Sequence, residues 1–181
     1  MNDVARIAIF GTESTGKSSL AAALAAHYGE PWAEESVRPF WDANGGRISG
    51  PDLEEIARGQ IANEEEAVAR ARRVVFCDTE LLTNVLWADL LFPGCCRAWV
   101  REAAEERCRR YALYLYCEPD LPWAYDPQRA FPDEATRRRQ ARVWRARLDR
   151  RGLPYAVVSG AGEGRLAGAI AAVDAVLAGR G

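Results

Sequence analysis

Apolar positions in this chain come in short blocks separated by stretches of helical period. Residues 4–10 are apolar except for Arg6, and Val74-Val75-Phe76-Cys77 is a continuous apolar run. Such runs suit strands buried on both faces of a parallel sheet. Residues 111–117 alternate aromatics (Tyr114, Tyr116) with aliphatics (Leu113, Leu115) and read as another strand. Pro31 to Glu35 and Leu153 to Val158 complete a set of five. Between them, 16–28, 51–72, 81–91, 97–110, 133–151 and 163–179 read as helices. Leu53, Ile56, Ala57, Ile61 and Val68 form the apolar stripe of the 51–72 helix. Pro51 suits its first position, with Asp52 and Glu54 in the first turn. Residues 36–50 hold Pro39, Asn44-Gly45-Gly46 and Ser49-Gly50, and read mostly as loop. Strands alternating with helices predict an α/β fold: one parallel five-stranded sheet with helices on both faces. Spacing alone leaves the strand order open. The length, 181 residues, predicts a single domain over 1–181.

The first strand runs into Gly11-Thr12-Glu13-Ser14-Thr15-Gly16-Lys17-Ser18, and the helix former Ser19-Leu20-Ala21-Ala22-Ala23-Leu24 follows. This fits the phosphate-loop pattern G-x-x-x-x-G-K-[ST] at every defined position, in the required strand–loop–helix order. Gly11 and Gly16 let the backbone curl and turn its N–H groups inward. The helix that begins beside Gly16 adds the positive end of its dipole. Lys17 supplies a mobile cation for the outer phosphates, and the Ser18 hydroxyl suits Mg²⁺. Residues Gly11 to Ser19 are thus the candidate contacts for ATP. Lys17 is the only lysine in the chain, although arginine is plentiful. A compact ammonium is retained only where it differs in kind from a planar guanidinium.

Composition narrows the picture in a few places. With 49% of residues hydrophobic, disorder is excluded. A formal net charge of -2 gives no global case for nucleic-acid binding. Five cysteines, at 77, 95, 96, 108 and 117, are odd in number and lack CxxC spacing, so they read as reduced thiols of a cytoplasmic protein. No apolar run approaches the ~18 residues of a membrane span, and Met1-Asn2-Asp3-Val4 carries no signal-peptide character. His27, the only histidine, falls at a helix end that favours it. Arg107, Arg109 and Arg110 read as a solvated face. Gln60 and Glu64 lie one helical turn apart, as boundary residues or facing a cavity.

Asp78 ends the apolar strand 74–77. Ligands of open parallel sheets sit at that edge. Asp78 can therefore reach Mg²⁺, directly or through water, or a substrate hydroxyl; alternatively it caps the following helix, as Thr79 could. Glu118 to Arg129 forms a proline-rich segment holding Trp123, Tyr125, Asp120, Asp126 and Arg129. The prolines forbid a regular element. This segment reads as part of a substrate and lid region over about 119–145.

The stretches GTESTGKSSLA, EESVR, IARGQIANEE, CDTELL and PDLPWAYDPQR, in this order, resemble the ribosylnicotinamide kinase domain of NadR-type proteins over nearly the whole chain. The resemblance implies a P-loop kinase fold with strand order 2-3-1-4-5. It implies transfer of the ATP γ-phosphate to the 5′-hydroxyl of nicotinamide riboside, giving nicotinamide mononucleotide. By motif match it carries over Asp78, Glu35, Arg38, Trp123, Asp126 and Arg129. The family often has an aromatic in the second-strand motif E-Y-x-R, where this chain has Ser36; the second acid of its D-T-D motif is Glu80 here.

On this reading the loop, Lys17 and Mg²⁺ on Ser18 hold the β- and γ-phosphates, and Asp78 orients the metal's water shell or accepts the hydroxyl proton. Arg129, with Arg137 or Arg138 behind it, closes as a lid; most of the Arg137 to Arg139 run reads as solvated. Trp123 or Tyr125, with Glu35 or Asp126, suits a flat cationic ring. Two rival readings are another nucleoside or nucleoside-monophosphate kinase and a regulatory ATP-binding module. A guanine-specifying N-K-x-D motif is impossible with Lys17 as the sole lysine.

Overall fold

The computed structural model describes residues 4–180. Residues 1–3, where the sequence shows no signal-peptide character, lie outside the described residues. The strands are β1 (Ala5–Phe10), β2 (Trp32–Ala33), β3 (Val74–Asp78), β4 (Leu113–Cys117) and β5 (Tyr155–Val158). The helices are α1 (Lys17–Tyr28), α2 (Val37–Ala43), α3 (Leu53–Arg70), α4 (Leu81–Leu91), α5 (Ala98–Arg107), α6 (Glu134–Arg151) and α7 (Gly162–Ala178). The sheet order is β2-β3-β1-β4-β5, the order the family resemblance implies. Every pair is parallel.

Strand period decides the two cores. Ile7, Ile9, Phe76 and Leu115 point to one face and pack with Leu24 of α1 and Val173 of α7. Ala8, Phe10, Val75, Tyr114 and Tyr116 point to the other and pack with Trp144 and Leu148 of α6. The two tyrosines are almost fully buried, yet each hydroxyl is satisfied: Tyr114 donates to Cys108 O at 3.0 Å and Tyr116 to Ala141 O at 2.8 Å. Truncating such a side chain costs about 3–5 kcal/mol in a well-packed core. Among the described residues no helix is long and apolar enough to cross a membrane.

Three readings are corrected. Residues 36–50 are not mostly loop, because 37–43 form α2. Pro39 is harmless there, since it falls in the first turn, where no intrahelical N–H is needed. Pro51 sits in a 3₁₀ turn, Gly50–Asp52, that leads into α3 and is closed by a reciprocal Ser49–Asp52 capping box. Arg107 is not solvated. It is buried and donates to Glu64 Oε2 at 2.9 Å and to Glu65 Oε1 at 2.7 Å. Gln60 and Glu64 are themselves fully buried, in the seam between α3 and its neighbours, and neither lines the cavity described below.

Candidate active site

The loop after β1 is shaped by close approaches. A Cβ on Gly11 would stand 2.8 Å from Cys117 O, and one on Gly16 would stand 2.9 Å from Leu121 Cδ1. Gly16 also has φ 73°, and Ser14, a non-glycine residue, is held at φ 56°. Thr12 O accepts from Thr15 Oγ1 at 2.9 Å and from Lys17 Nζ at 2.7 Å, so the lysine lies folded over the loop. Ser18 and Ser19 lie in the first turn of α1 and are exposed.

Asp78 ends β3 directly alongside β1, paired with Ile9. It is buried, and its Oδ1 has no hydrogen-bond partner. Burial pushes its carboxyl above the usual carboxylate range, while Lys17, a hydrogen bond from Ser18 and Arg38 pull it down. A hydroxyl beside a carboxylate with an orphaned oxygen is a hard-oxygen donor set, and it fits Mg²⁺. Neither Asp78 nor Thr79 caps the next helix. Thr79 takes a left-handed φ of 65°, which turns the chain so that Glu80 becomes the N-cap of α4. The Glu80 carboxylate accepts from Leu82 N at 2.6 Å and Thr83 N at 3.0 Å. Burial pushes the Glu80 carboxyl up to about 8.

A cavity of about 440 Å³ opens in front of the loop. Glu13 to Ser19 form one wall. Glu35, Val37, Arg38 and Trp41 come from the β2–α2 corner, Leu53 and Ile56 from α3, and Asn84, Trp87 and Leu91 from α4. Gln128, Arg129 and Ala130 close the side toward α6. Glu35 keeps some exposure through the cavity, but enclosure by protein raises its carboxyl to about 7; Lys17 opposes this shift and Asp78 adds to it.

The segment between β4 and α6 is docked on the loop by two loop side chains. The Glu13 carboxylate accepts from Ala130 N at 3.0 Å and Phe131 N at 2.6 Å. Ser14 Oγ accepts from Ala124 N and Arg129 Nη1, each at 3.3 Å. Arg129 also donates to Ala124 O. Phe131 stacks on Trp87 at 6.3 Å, and Trp87 meets Trp144 edge-on at 5.1 Å.

Of the residues marked in the sequence, Lys17, Ser18, Glu35, Arg38 and Arg129 come to one cavity, while Asp78 lies behind Ser18. Trp123, Tyr125 and Asp126 do not line it. Trp123 packs against Tyr125, which is 81% exposed. Asp126 pairs with Arg38 at 2.9 Å and accepts from Gln128 N at 3.0 Å. The Gln128 N–H, and then the Arg38 guanidinium, hold its carboxyl below the usual range. Arg137 is buried rather than solvated, which sets it apart from the exposed Arg138 and Arg139. Sequence reasoning missed Trp41, Trp87 and Asn84. Trp41 fell in a stretch read as loop. Trp87 sits in a helix apolar on all sides, where period carries no directional signal.

Residues 6–165 match the family model described as an AAA domain. The chain belongs to that AAA-domain family. The resemblance to NadR-type proteins is borne out alongside. The trifunctional NAD biosynthesis/regulator protein NadR of Escherichia coli (strain K12) is 28% identical over 139 residues, 75% of this chain and 33% of the relative. This AAA-domain chain thus spans about a third of the length of the curated relative it matches. A crystal structure of NadR protein in complex with NR superposes with a TM-score of 0.72 at 22% identity, over 97% of this chain and 52% of that one. Deoxyadenosine kinase from M. mycoides with bound dATP gives a TM-score of 0.63 at 12% identity, over 94% of this chain and 99% of that one. The architecture is that of the P-loop kinases.

Proposed function

We propose that this protein is an ATP-dependent kinase of a small nucleoside, with nicotinamide riboside as the first candidate acceptor and nicotinamide mononucleotide as the product. One observation carries the reading. A single cavity is lined by the loop lysine, by Trp41 and Trp87, and by the Glu35 carboxylate. That the NadR relative is named for NAD biosynthesis, and that a NadR structure holds NR, supports this acceptor.

Phosphoryl transfer asks mainly for positioning and charge neutralisation. The inward N–H groups of Gly11 to Lys17 would hold the polyphosphate, and Lys17 would swing from Thr12 O to its outer oxygens. Ser18 and Asp78 would hold Mg²⁺, which when bound neutralises charge on the β- and γ-oxygens. Arg129 enters from the segment docked on Glu13 and Ser14, and would meet charge developing on the transferred group. We read 119–145 as the lid of a single kinase domain, whose closure over the cavity excludes water as a competing acceptor. Glu35 or Asp78 would take the acceptor hydroxyl proton. Trp41 and Trp87, rather than Trp123, would flank the flat ring, and a pyridinium there gains from ring faces and from the Glu35 carboxylate. With five free thiols among the described residues, we assign the reaction to the cytoplasm.

The test is a panel of nucleosides incubated with ATP and Mg²⁺ and read by product mass. Nicotinamide riboside should give the largest phosphorylated product. A stronger product from uridine or thymidine would remove the acceptor assignment and leave the kinase. No product from any nucleoside, with ATP bound, would favour a regulatory ATP-binding module.

A further inference from the structure

A phosphate loop with its N–H groups turned inward has carbonyls turned outward, and a buried carbonyl needs a donor. Thr12 O is served from within the loop, by Lys17 and Thr15. Thr15 O is served from far along the chain, by Arg165 Nη2 at 2.8 Å. Arg165 lies in the first turn of α7 and is 6% exposed. Its Nη1 donates to Asp120 Oδ1 and to Gly160 O, both at 2.9 Å, and its Nη2 also reaches Glu118 O at 3.4 Å. Asp120 Oδ2 in turn accepts from Gly160 N at 2.6 Å. One guanidinium therefore joins the phosphate loop, the end of β4 and the turn before α7.

The peptide held by this contact is the one between Thr15 and Gly16. No peptide among the described residues is cis. In a planar trans peptide the carbonyl and the N–H point in opposite directions. Holding Thr15 O outward therefore holds the Gly16 N–H inward. The same peptide is the one most able to flip, because Gly16 adopts either sign of φ at little cost. The glycine that the turn requires also loosens it, and Arg165 takes up that freedom. We infer that Arg165 is a positioning residue for the phosphate donor: through the Thr15 carbonyl it aims the Gly16 N–H at the polyphosphate, and Asp120 aims Arg165. The inference rests on the kinase reading only in that the loop takes a triphosphate.

The experiment is titration calorimetry of the full chain with MgATP, with Mg-tripolyphosphate, and with nicotinamide riboside in the absence of a donor. Arg165→Met should weaken MgATP and tripolyphosphate by the same factor, about tenfold, the usual size for a lost charge-assisted hydrogen bond. Riboside affinity should stay unchanged. Arg165→Lys should recover part of the loss, since one ammonium can still reach Thr15 O. Asp120→Asn should show the same pattern at a smaller factor. Unchanged donor binding in folded Arg165→Met overturns the inference. So does a loss confined to MgATP, which would place the role at the base, or an equal loss of the riboside, which would mean general damage. If Arg165→Met does not fold, the Lys and Asp120→Asn variants must show the paired loss of both polyphosphates, or the inference fails. A wild-type protein that binds neither polyphosphate overturns the kinase reading together with it. A wild type that binds both, with variants that bind equally well, overturns the role of Arg165 alone.

Discussion

On one side of the cavity, a single run from Glu13 to Ser19 supplies a complete wall; on the other, Glu35, Arg38 and Trp41 stand at the β2–α2 corner, Ile56 on α3 and Trp87 on α4. The first wall belongs to one continuous turn, shaped by close approaches at Gly11 and Gly16 and tied by hydrogen bonds to Thr12 O. The second is made of side chains whose carriers must be packed in place before the wall exists. The two walls should therefore fail differently. Damage to the loop should remove chemistry while leaving the fold and the acceptor pocket intact. Damage to the packing behind the acceptor wall should shift acceptor binding and leave the donor side alone.

Lys17→Ala is the sharpest break of the loop wall. Its kcat/KM should fall by at least about a hundredfold, the size of a lost charge-stabilising group, with thermal melting close to wild type. Near-normal turnover would end the kinase reading. Trp41→Ala tests the acceptor wall next. It should raise KM for a cationic nucleoside by about tenfold, within the ~0.5–2 kcal/mol range of a ring–cation contact plus lost burial. A neutral analogue of the same shape should suffer less, and KM for ATP should not move. An equal loss for both analogues would leave shape alone to explain the tryptophan.

The Glu35 carboxyl, raised to about 7, links the two walls through pH. Between pH 6 and 8 it ionises, so KM for a cationic acceptor should fall severalfold as pH rises. Glu35→Gln should flatten that profile. Stability runs the other way. A carboxyl raised in the folded state contributes stability that is complete below its ordinary value near 4.5 and is lost as pH passes about 7. The melting temperature of the wild type without ligands should therefore drop relative to Glu35→Gln between pH 5 and 8. The drop should be a few degrees, at roughly 2–4 °C per kcal/mol for this chain length. Glu80 and Glu64 are also raised by burial but are common to both proteins, so the difference isolates Glu35.

The smallest effect expected comes from behind the acceptor wall. Gly59 of α3 faces Ser36, where an added Cβ would stand 3.3 Å from the Ser36 Cβ. Ser36 is pinned there: its N–H donates to Gln60 Oε1 at 3.1 Å and its hydroxyl to Ile56 O at 2.8 Å. Gly59→Ala must push the corner that carries Glu35 and Arg38 by a few tenths of an ångström. Acceptor KM should rise about twofold to fivefold with ATP binding unchanged, the mild end of a packing change. A change in ATP binding instead would show that the two walls are mechanically one.

The amino-acid sequence by itself determined the strand set, the loop with Lys17 and Ser18, and the place of Asp78, because each follows from local rules. Apolar runs make buried strands, a glycine pair makes a tight cradle, and an acid at a strand end lies at the ligand edge of the sheet. It marked Gln60 and Glu64 as special but left their direction open, since two residues one turn apart share a face without naming what that face meets. Only the tertiary structure decided the rest. The cavity's aromatics are Trp41, Trp87 and Phe92, and Trp123 is not among them, because the proline-rich segment docks instead on Ser14 through the Ala124 N–H. Glu80 caps α4 because one left-handed residue, Thr79, shifts the helix start beyond Asp78. Arg107, Arg137 and Arg165 are buried, while Arg109, Arg110, Arg138 and Arg139 are exposed. An arginine's long stem and five donors let it serve either environment, so for Arg107 and Arg165 only the carboxylates and carbonyls brought near by the fold could choose between them.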